Sequence, residues 1–284
     1  MTWSVGALGA ALALAAQGVA LPGCASGSGG LDPGTPDADL RILFVGNSLT
    51  YTNDLPNLVR WVGERAGRTL AVRAVAFPDY SLEDHWRQGT ALEAIGQAWA
   101  DVVVLHQGPS SLPENQLHLR RWAARFANEI REAGARPALL MVWPSRSRLS
   151  AFDAVADAYQ AAADSARALF VPAGQAWRAV WRRDPEVELY GPDGFHPGPV
   201  GSLVAALTVY RIVVGEPLSG LPETLDPDGD GPGPPLASPR LSEILYGAVE
   251  EAVGEVAEEE RPSSGIALSR GPPPPRPPPP GAEG

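Results

Sequence analysis

Between residues 40 and 216 the chain alternates between short apolar runs and helix-period stretches, and this alternation constrains the fold more than any other feature. Arg41-Ile42-Leu43-Phe44-Val45 is an apolar run that stops at Gly46. Leu70–Ala76, Asp101–Leu105, Pro137–Trp143 and the brief Leu169-Phe170-Val171 repeat the pattern. Runs of this length, rich in Val, Leu and Ile, are the signature of strands buried on both faces. Between them lie amphipathic stretches: Pro56–Ala66, Leu82–Trp99, Asn115–Ala133, Phe152–Ala168, a segment reaching about Arg183, and Val200–Val214. Strands that alternate with helices must be joined by crossovers, which produces a parallel sheet covered on both sides. The expected fold class is α/β: one three-layer α/β/α sandwich around a five-stranded parallel sheet, spanning residues 40–216.

The flanks differ in composition. Residues 1–23 carry no charge, are rich in Ala, Leu, Val and Gly, and end at Leu21-Pro22-Gly23-Cys24. An apolar core followed by small residues reads as an export signal. Leu-x-Gly-Cys resembles the bacterial lipobox, although no Arg precedes the apolar run. The resemblance implies lipidation at Cys24, export, and a membrane anchor in the bacterial cell envelope. A plain signal peptide and a short membrane anchor are the alternatives, and the run is shorter than the ~20 residues of a spanning helix. Residues 24–39 read as a flexible tether. Cys24 is the single cysteine, which excludes an internal disulfide framework and a cysteine-based zinc site.

Beyond Glu216 comes a Pro/Gly/Asp loop, 217–237. Ser238 and Pro239 then supply a helix N-cap and first position, opening a docking helix over 238–260 with an apolar stripe through Leu241, Leu245, Ala248, Val249 and Ala252. The tail, 261–284, is Pro-rich and expected to be disordered or polyproline II. The whole chain has a net charge of −11, but 18 Arg and 21 acidic residues leave only −3 through Glu216. The acidity therefore belongs mainly to the C-terminal extension, and a nucleic-acid partner, which needs a basic face, is not expected. Asp226, Asp228 and Asp230 echo the start of a calcium loop. Position 12 of such a loop is Ala237 rather than Glu, so the stretch reads as a solvated loop and no metal is expected.

Two short motifs carry chemistry. Gly46-Asn47-Ser48-Leu49-Thr50 follows the first strand, and Asp193-Gly194-Phe195-His196-Pro197 precedes the last core helix. A Ser hydroxyl becomes nucleophilic when an imidazole takes its proton, and the imidazole needs a carboxylate to fix its tautomer. Loops at the carboxyl ends of parallel strands face one crevice, so Ser48 lies on that rim. The G-x-S-x-G elbow of α/β-hydrolases is absent, which argues against that fold.

The two motifs resemble the first and last blocks of the SGNH, or GDSL-type, hydrolases. The resemblance covers about residues 40–216 and implies a flavodoxin-like sandwich. It makes Ser48 the nucleophile, His196 the base and Asp193 its partner. It also implies a small acyl ester as substrate, an acetylated carbohydrate or a short-chain lipid ester, and no cofactor. The second block departs from the family pattern: Phe77-Pro78-Asp79-Tyr80-Ser81-Leu82 has Asp79 or Tyr80 where the family places an oxyanion-binding Gly. After the third strand, Gln107 stands in for the family's Asn. The expected oxyanion hole therefore comprises the Ser48 N–H, the Asp79/Tyr80 backbone and Gln107. Asn47, Tyr51, His106 and Trp143 are candidates for the substrate-binding wall. Core positions for His106 and Trp143 remain open, as does helix capping for Tyr51 and Asn53. His85 reads as structural and His118, on an amphipathic helix, as surface. The alternative function is a surface binding module that keeps the fold while the triad idles.

Overall fold

Five strands, β1 (Leu40–Gly46), β2 (Leu70–Ala76), β3 (Val102–Leu105), β4 (Arg136–Leu140) and β5 (Leu169–Val171), lie parallel in the order β2-β1-β3-β4-β5. Ile42, Phe44 and Val45 of β1 and Val102–Val104 of β3 are fully buried, which is why these strands read as continuous apolar runs. The computed structural model describes residues 37–225 and 238–259. The expected signal, Cys24, most of the tether, the Asp226–Ala237 stretch and the Pro-rich tail lie outside the described residues.

Nine helices accompany the sheet among the described residues: α1 (Ser48–Tyr51), α2 (Leu55–Arg65), α3 (Leu82–Gln88), α4 (Thr90–Gly96), α5 (Pro113–Glu132), α6 (Phe152–Ala166), α7 (Ala173–Arg183), α8 (Pro199–Val213) and α9 (Pro239–Glu259). The pairs α2–α8 and α5–α6 are each in close contact, one pair on each side of the sheet. The three-layer α/β/α architecture is thus that expected from the sequence, and 2-1-3-4-5 is the flavodoxin-like strand order.

Boundaries moved where one residue had a local reason. The single helix expected over 82–99 is two, because Gly89 takes φ 93° and caps α3 in the left-handed region. The fourth strand ends at Leu140 rather than Trp143, although Met141–Trp143 remain buried. Helix α8 is apolar almost all round and buried almost all round. It needs cover on several sides, and α2, α7, α9 and β5 all touch it. The α9 helix lies against α7 and α8 through Leu245, Ala248, Val249 and Ala252, while Arg211 pairs with Glu250 on its flank.

Strand order reverses between β1 and β3, whose ends pair at Val45 and Leu105. A crevice opens at such a switch point, at the carboxyl ends of the strands. The second motif reaches it because α8 is seated close against the preceding segment. A Cβ at Gly201 would lie 2.1 Å from the Leu189 carbonyl oxygen and 2.5 Å from the Trp177 ring. Trp177 Nε1 also donates to the Gly201 carbonyl at 3.1 Å. We expect Gly201→Ala to cost about 1–3 kcal/mol, the usual range for overpacking. Gly254→Ala, in open space on α9, should be neutral or gain up to ~1 kcal/mol from helix propensity. Urea midpoints of the two variants test this; equal shifts would contradict the close seating of α8.

Candidate active site

β1 ends at Gly46 and the chain turns at once into α1. No side chain fits at Gly46: a Cβ would lie 2.1 Å from His106 Nε2 and 2.5 Å from Thr50 Oγ1. Asn47 caps α1, its Oδ1 accepting the Leu49 N–H at 3.2 Å, and its Nδ2 donates to the Tyr80 carbonyl. Ser48 is then the first residue of α1, nearly buried at 9% exposure.

Asp193 and His196 come from the loop before α8. Asp193 Oδ1 accepts the N–H groups of Phe195 and His196, each at 2.9 Å, folding the loop into a local Asx-type turn. Its Oδ2 accepts from His196 Nδ1 at 2.5 Å. That bond leaves the lone pair of His196 Nε2 facing Ser48 Oγ, 2.9 Å away. The His196 hydrogen bond, followed by the Phe195 N–H, lowers the Asp193 pKa to about 2, so this carboxylate stays charged. The loop is braced from several sides. Asn53 Nδ2 donates to the Pro197 carbonyl at 2.9 Å, Trp143 Nε1 to the Phe195 carbonyl at 3.1 Å, and the Arg146 N–H to the Gly194 carbonyl at 2.7 Å.

A cavity of about 430 Å³ opens above Ser48, lined by Asn47, Asp79, Tyr80, Ser81, Gln107, Ser110, Asn115, His118 and Phe195 among others. Pro78 and Asp79 occupy the middle of a turn closed by the Tyr80 N–H on the Phe77 carbonyl. Asp79 has φ 58°. Pro followed by a residue at positive φ is a type II turn, which favours Gly at the second position and tolerates few other residues. The turn narrows the sequence expectation: the Tyr80 N–H points back at the Phe77 carbonyl, 3.4 Å away, and the Asp79 N–H is the one left without a partner. Among the described residues the N–H groups of Ser48 and Asp79 have no acceptor. Gln107 is oriented without ambiguity. Its Oε1 accepts the Leu82 N–H at 3.2 Å, and its Nε2 donates to Ser110 Oγ at 2.9 Å. Ser110 gives its own proton to the Gly108 carbonyl, so it can only accept from Gln107.

Three expected wall residues lie elsewhere. His106 is fully buried beneath the turn at Asn47 and Ser48, filling the space that a side chain at Gly46 would take, with Nε2 2.6 Å from Thr50 Oγ1. Trp143 is buried and stacked on Trp177 at 3.7 Å, so it supports the Asp193–His196 loop and is not part of the cavity lining. Tyr51 is 48% exposed and outside the cavity lining. Asn53 neither caps α2 nor lines the mouth, being taken up by Pro197 and Ser202. His85 is buried, its Nε2 donating to the Gly46 carbonyl at 2.6 Å. His118 is the residue that sequence reasoning missed. It is partly buried, lines the cavity, and bonds Glu83 at 2.9 Å. The amphipathic pattern of α5 put it at the edge of the polar face, and the packing of α3 against α5 turned that edge into a wall.

No family model matches the chain, and no curated protein sequence matches it. Solved structures do. A candidate SGNH hydrolase from Slackia heliotrinireducens is 28% identical, with TM-score 0.50, over 61% of this chain and 98% of its own. A DUF4886 family protein from Bacteroides uniformis has TM-score 0.63 at 17% identity, over 75% of this chain and 94% of its own. A lipase/acylhydrolase from Enterococcus faecalis has TM-score 0.50 at 17% identity, over 62% and 96%.

The two imidazoles under the nucleophile set a pH limit. Burial pushes His106 down to about 4 and His85 below its ordinary value, both from 6.5. Between those values the unfolded chain binds protons that the folded chain refuses. Stability is therefore full above pH 6.5 and falls as pH drops toward 4. For His106 alone the loss is on the order of 3 kcal/mol at pH 4. Urea unfolding between pH 7 and 4.5 should show this decline, and His106→Gln, which keeps an acceptor for Thr50, should flatten it. A wild-type midpoint unchanged from pH 7 to 5 would refute the assignment.

Proposed function

We propose that this chain, which has the fold of the SGNH hydrolases, is a serine esterase acting on small acyl esters. The observation that carries the reading is the continuous hydrogen-bond path from Asp193 through His196 to Ser48 at the floor of a cavity. In this reading His196 Nε2 takes the Ser48 proton as Oγ attacks the ester carbonyl. Asp193 holds the imidazole and stabilises its charged form. The tetrahedral oxyanion is received by the N–H groups of Ser48 and Asp79 and by the Gln107 amide, each donor worth roughly 3–4 kcal/mol in the transition state. His196 returns the proton to the departing alkoxide. Water, deprotonated by the same imidazole, then releases the acid and frees Ser48.

The cavity wall supports a hydroxylated alcohol portion. Asp79, Ser81, Asn115 and His118 line it, together with two aromatic rings, those of Phe195 and Tyr80. An acetylated carbohydrate suits such a wall better than a lipid ester, whose chain would need an apolar slot. The carboxylate of Asp79 also disfavours anionic substrates. Hydrolysis of p-nitrophenyl acetate, and then of acetylated sugars beside lipid esters, tests the reading. Ser48→Ala should lower kcat/KM by about 10⁴-fold or more. A wild type inactive on all esters would leave the binding-module alternative, and a fully active Ser48→Ala would overturn the serine mechanism.

The proposed location is the cell envelope, through a lipid on Cys24, and rests on Leu21-Pro22-Gly23-Cys24 alone. Cys24→Ser expressed in a bacterium should move the protein from the membrane to the soluble fraction; an unchanged distribution would defeat the anchor.

A further inference from the structure

A second carboxylate–imidazole pair, Glu83 and His118, stands at the cavity wall, where its imidazole faces Gln107. Glu83 Oε2 lies 2.9 Å from His118 Nε2, while Glu83 Oε1 holds Arg87. Hydrogen bonds from His118 and Arg87 lower the Glu83 pKa, so the carboxylate is charged and only accepts. Neutral His118 therefore carries its proton on Nε2, and Nδ1 presents a lone pair. That lone pair is 3.4 Å from Gln107 Nε2. The amide cannot turn round, because Leu82 N–H needs Oε1 and Ser110 Oγ, already donating to Gly108, needs an N–H.

The amide has two N–H groups. One is spent on Ser110 at 2.9 Å. The other meets His118 Nδ1 at 3.4 Å, longer than a full N–H bond, and so remains available to a stronger acceptor. We infer that Glu83 and His118 are positioning residues: they hold a lone pair, and not a proton, beside Gln107, so that its second N–H stays in plane and ready for the oxyanion. The arrangement mirrors the triad. Asp193 fixes a proton on His196 Nδ1 and leaves Nε2 bare toward Ser48, whereas Glu83 fixes one on His118 Nε2 and leaves Nδ1 bare toward Gln107. Both ends of the clamp come from α3: Leu82 orients the amide oxygen and Glu83, through His118, the amide nitrogen. The inference rests on the esterase reading, in which Gln107 is an oxyanion donor.

Two substitutions at His118 separate its two nitrogens. Asn places an acceptor near Nδ1 and gives up Glu83. Gln keeps the link to Glu83 and gives up the acceptor. His118→Gln should lower kcat by about tenfold, a part of the loss expected when one oxyanion donor is removed, with KM within about twofold. His118→Asn should restore most of that loss. Combined with Gln107→Ala, His118→Gln should add less than about twofold. Equal damage from both substitutions, an effect on KM with kcat intact, or full additivity with Gln107→Ala would overturn the inference and leave the esterase reading standing. Long-range ¹H–¹⁵N spectra of the wild type give a readout free of activity and folding effects. A proton on His118 Nε2 supports the clamp, and one on Nδ1 overturns it. A wild type without esterase activity overturns both readings together, whatever the tautomer.

Discussion

The hydrogen bond between Ser48 and His196 joins residues 148 positions apart, and much of the structure serves to hold its two ends in register. One end is fixed by the sheet: β1, buried on both faces and paired with β2 and β3, runs straight into Asn47 and Ser48. The other end has no strand to hold it. It hangs on α8, whose seating against Leu189 and Trp177 leaves no space for a side chain at Gly201. The remaining freedom is removed by bonds to loop carbonyls from Asn53, Trp143 and Arg146. Each is modest alone, about 1 kcal/mol, but together they fix a loop that hydrophobic burial cannot reach.

Polar groups around the nucleophile are arranged so that each imidazole has one tautomer. His85 Nε2 faces a carbonyl and must donate. His106 Nδ1 faces the Gln107 carbonyl at 3.4 Å and its Nε2 accepts from Thr50. His196 and His118 are set by carboxylates. Burial leaves His85 and His106 neutral, the Asp84 charge offsetting the desolvation of His85 only in part, and His196 and His118 are paired with carboxylates. The imidazoles around Ser48 thus differ by partner rather than by distance from it. An acid-labile floor is the consequence of building it from uncharged histidines.

The layer architecture was legible in the sequence because periodicity reports burial, and strands such as Val102–Leu105 are buried on both faces. Ser48, Asp193 and His196 were legible because each lies in a short motif whose local geometry is nearly self-contained. Asp193, for instance, is oriented by the N–H groups of Phe195 and His196, its neighbours in the chain. For His106 and Trp143 the sequence left wall and core both open, and His118 was not legible as a wall residue. The first two follow strands and point toward the crevice on a linear reading. Their true surroundings are the vacancy at Gly46 and the face of Trp177, contacts made by distant segments. His118 belongs to the cavity only because α3 packs on α5. Helix boundaries failed where Gly89 entered the left-handed region, a choice that a lone Gly permits but does not announce.

The departure from the family's Gly in the second block finds its place in a wider pattern. Among the described residues, six other than Gly adopt positive φ, and four of them are Asn53, Asp54, Asp79 and Ser110. Asp79 and Ser110 line the cavity, and Asn53 and Asp54 lie in the short turn between α1 and α2. Each such residue costs roughly 1 kcal/mol or somewhat more relative to Gly. Three are Asn or Asp, the side chains best suited to that region. The tight turns also bring specific groups to bear: Asn53 reaches Pro197, and Ser110 receives Gln107. Gly would adopt the same turns with less strain but would leave those bonds unmade. At position 79 the backbone N–H is delivered by the turn whichever residue is present, so the side chain is free to serve the cavity wall instead. Asp79 is thus compatible with the oxyanion role proposed for its N–H, at a small conformational cost.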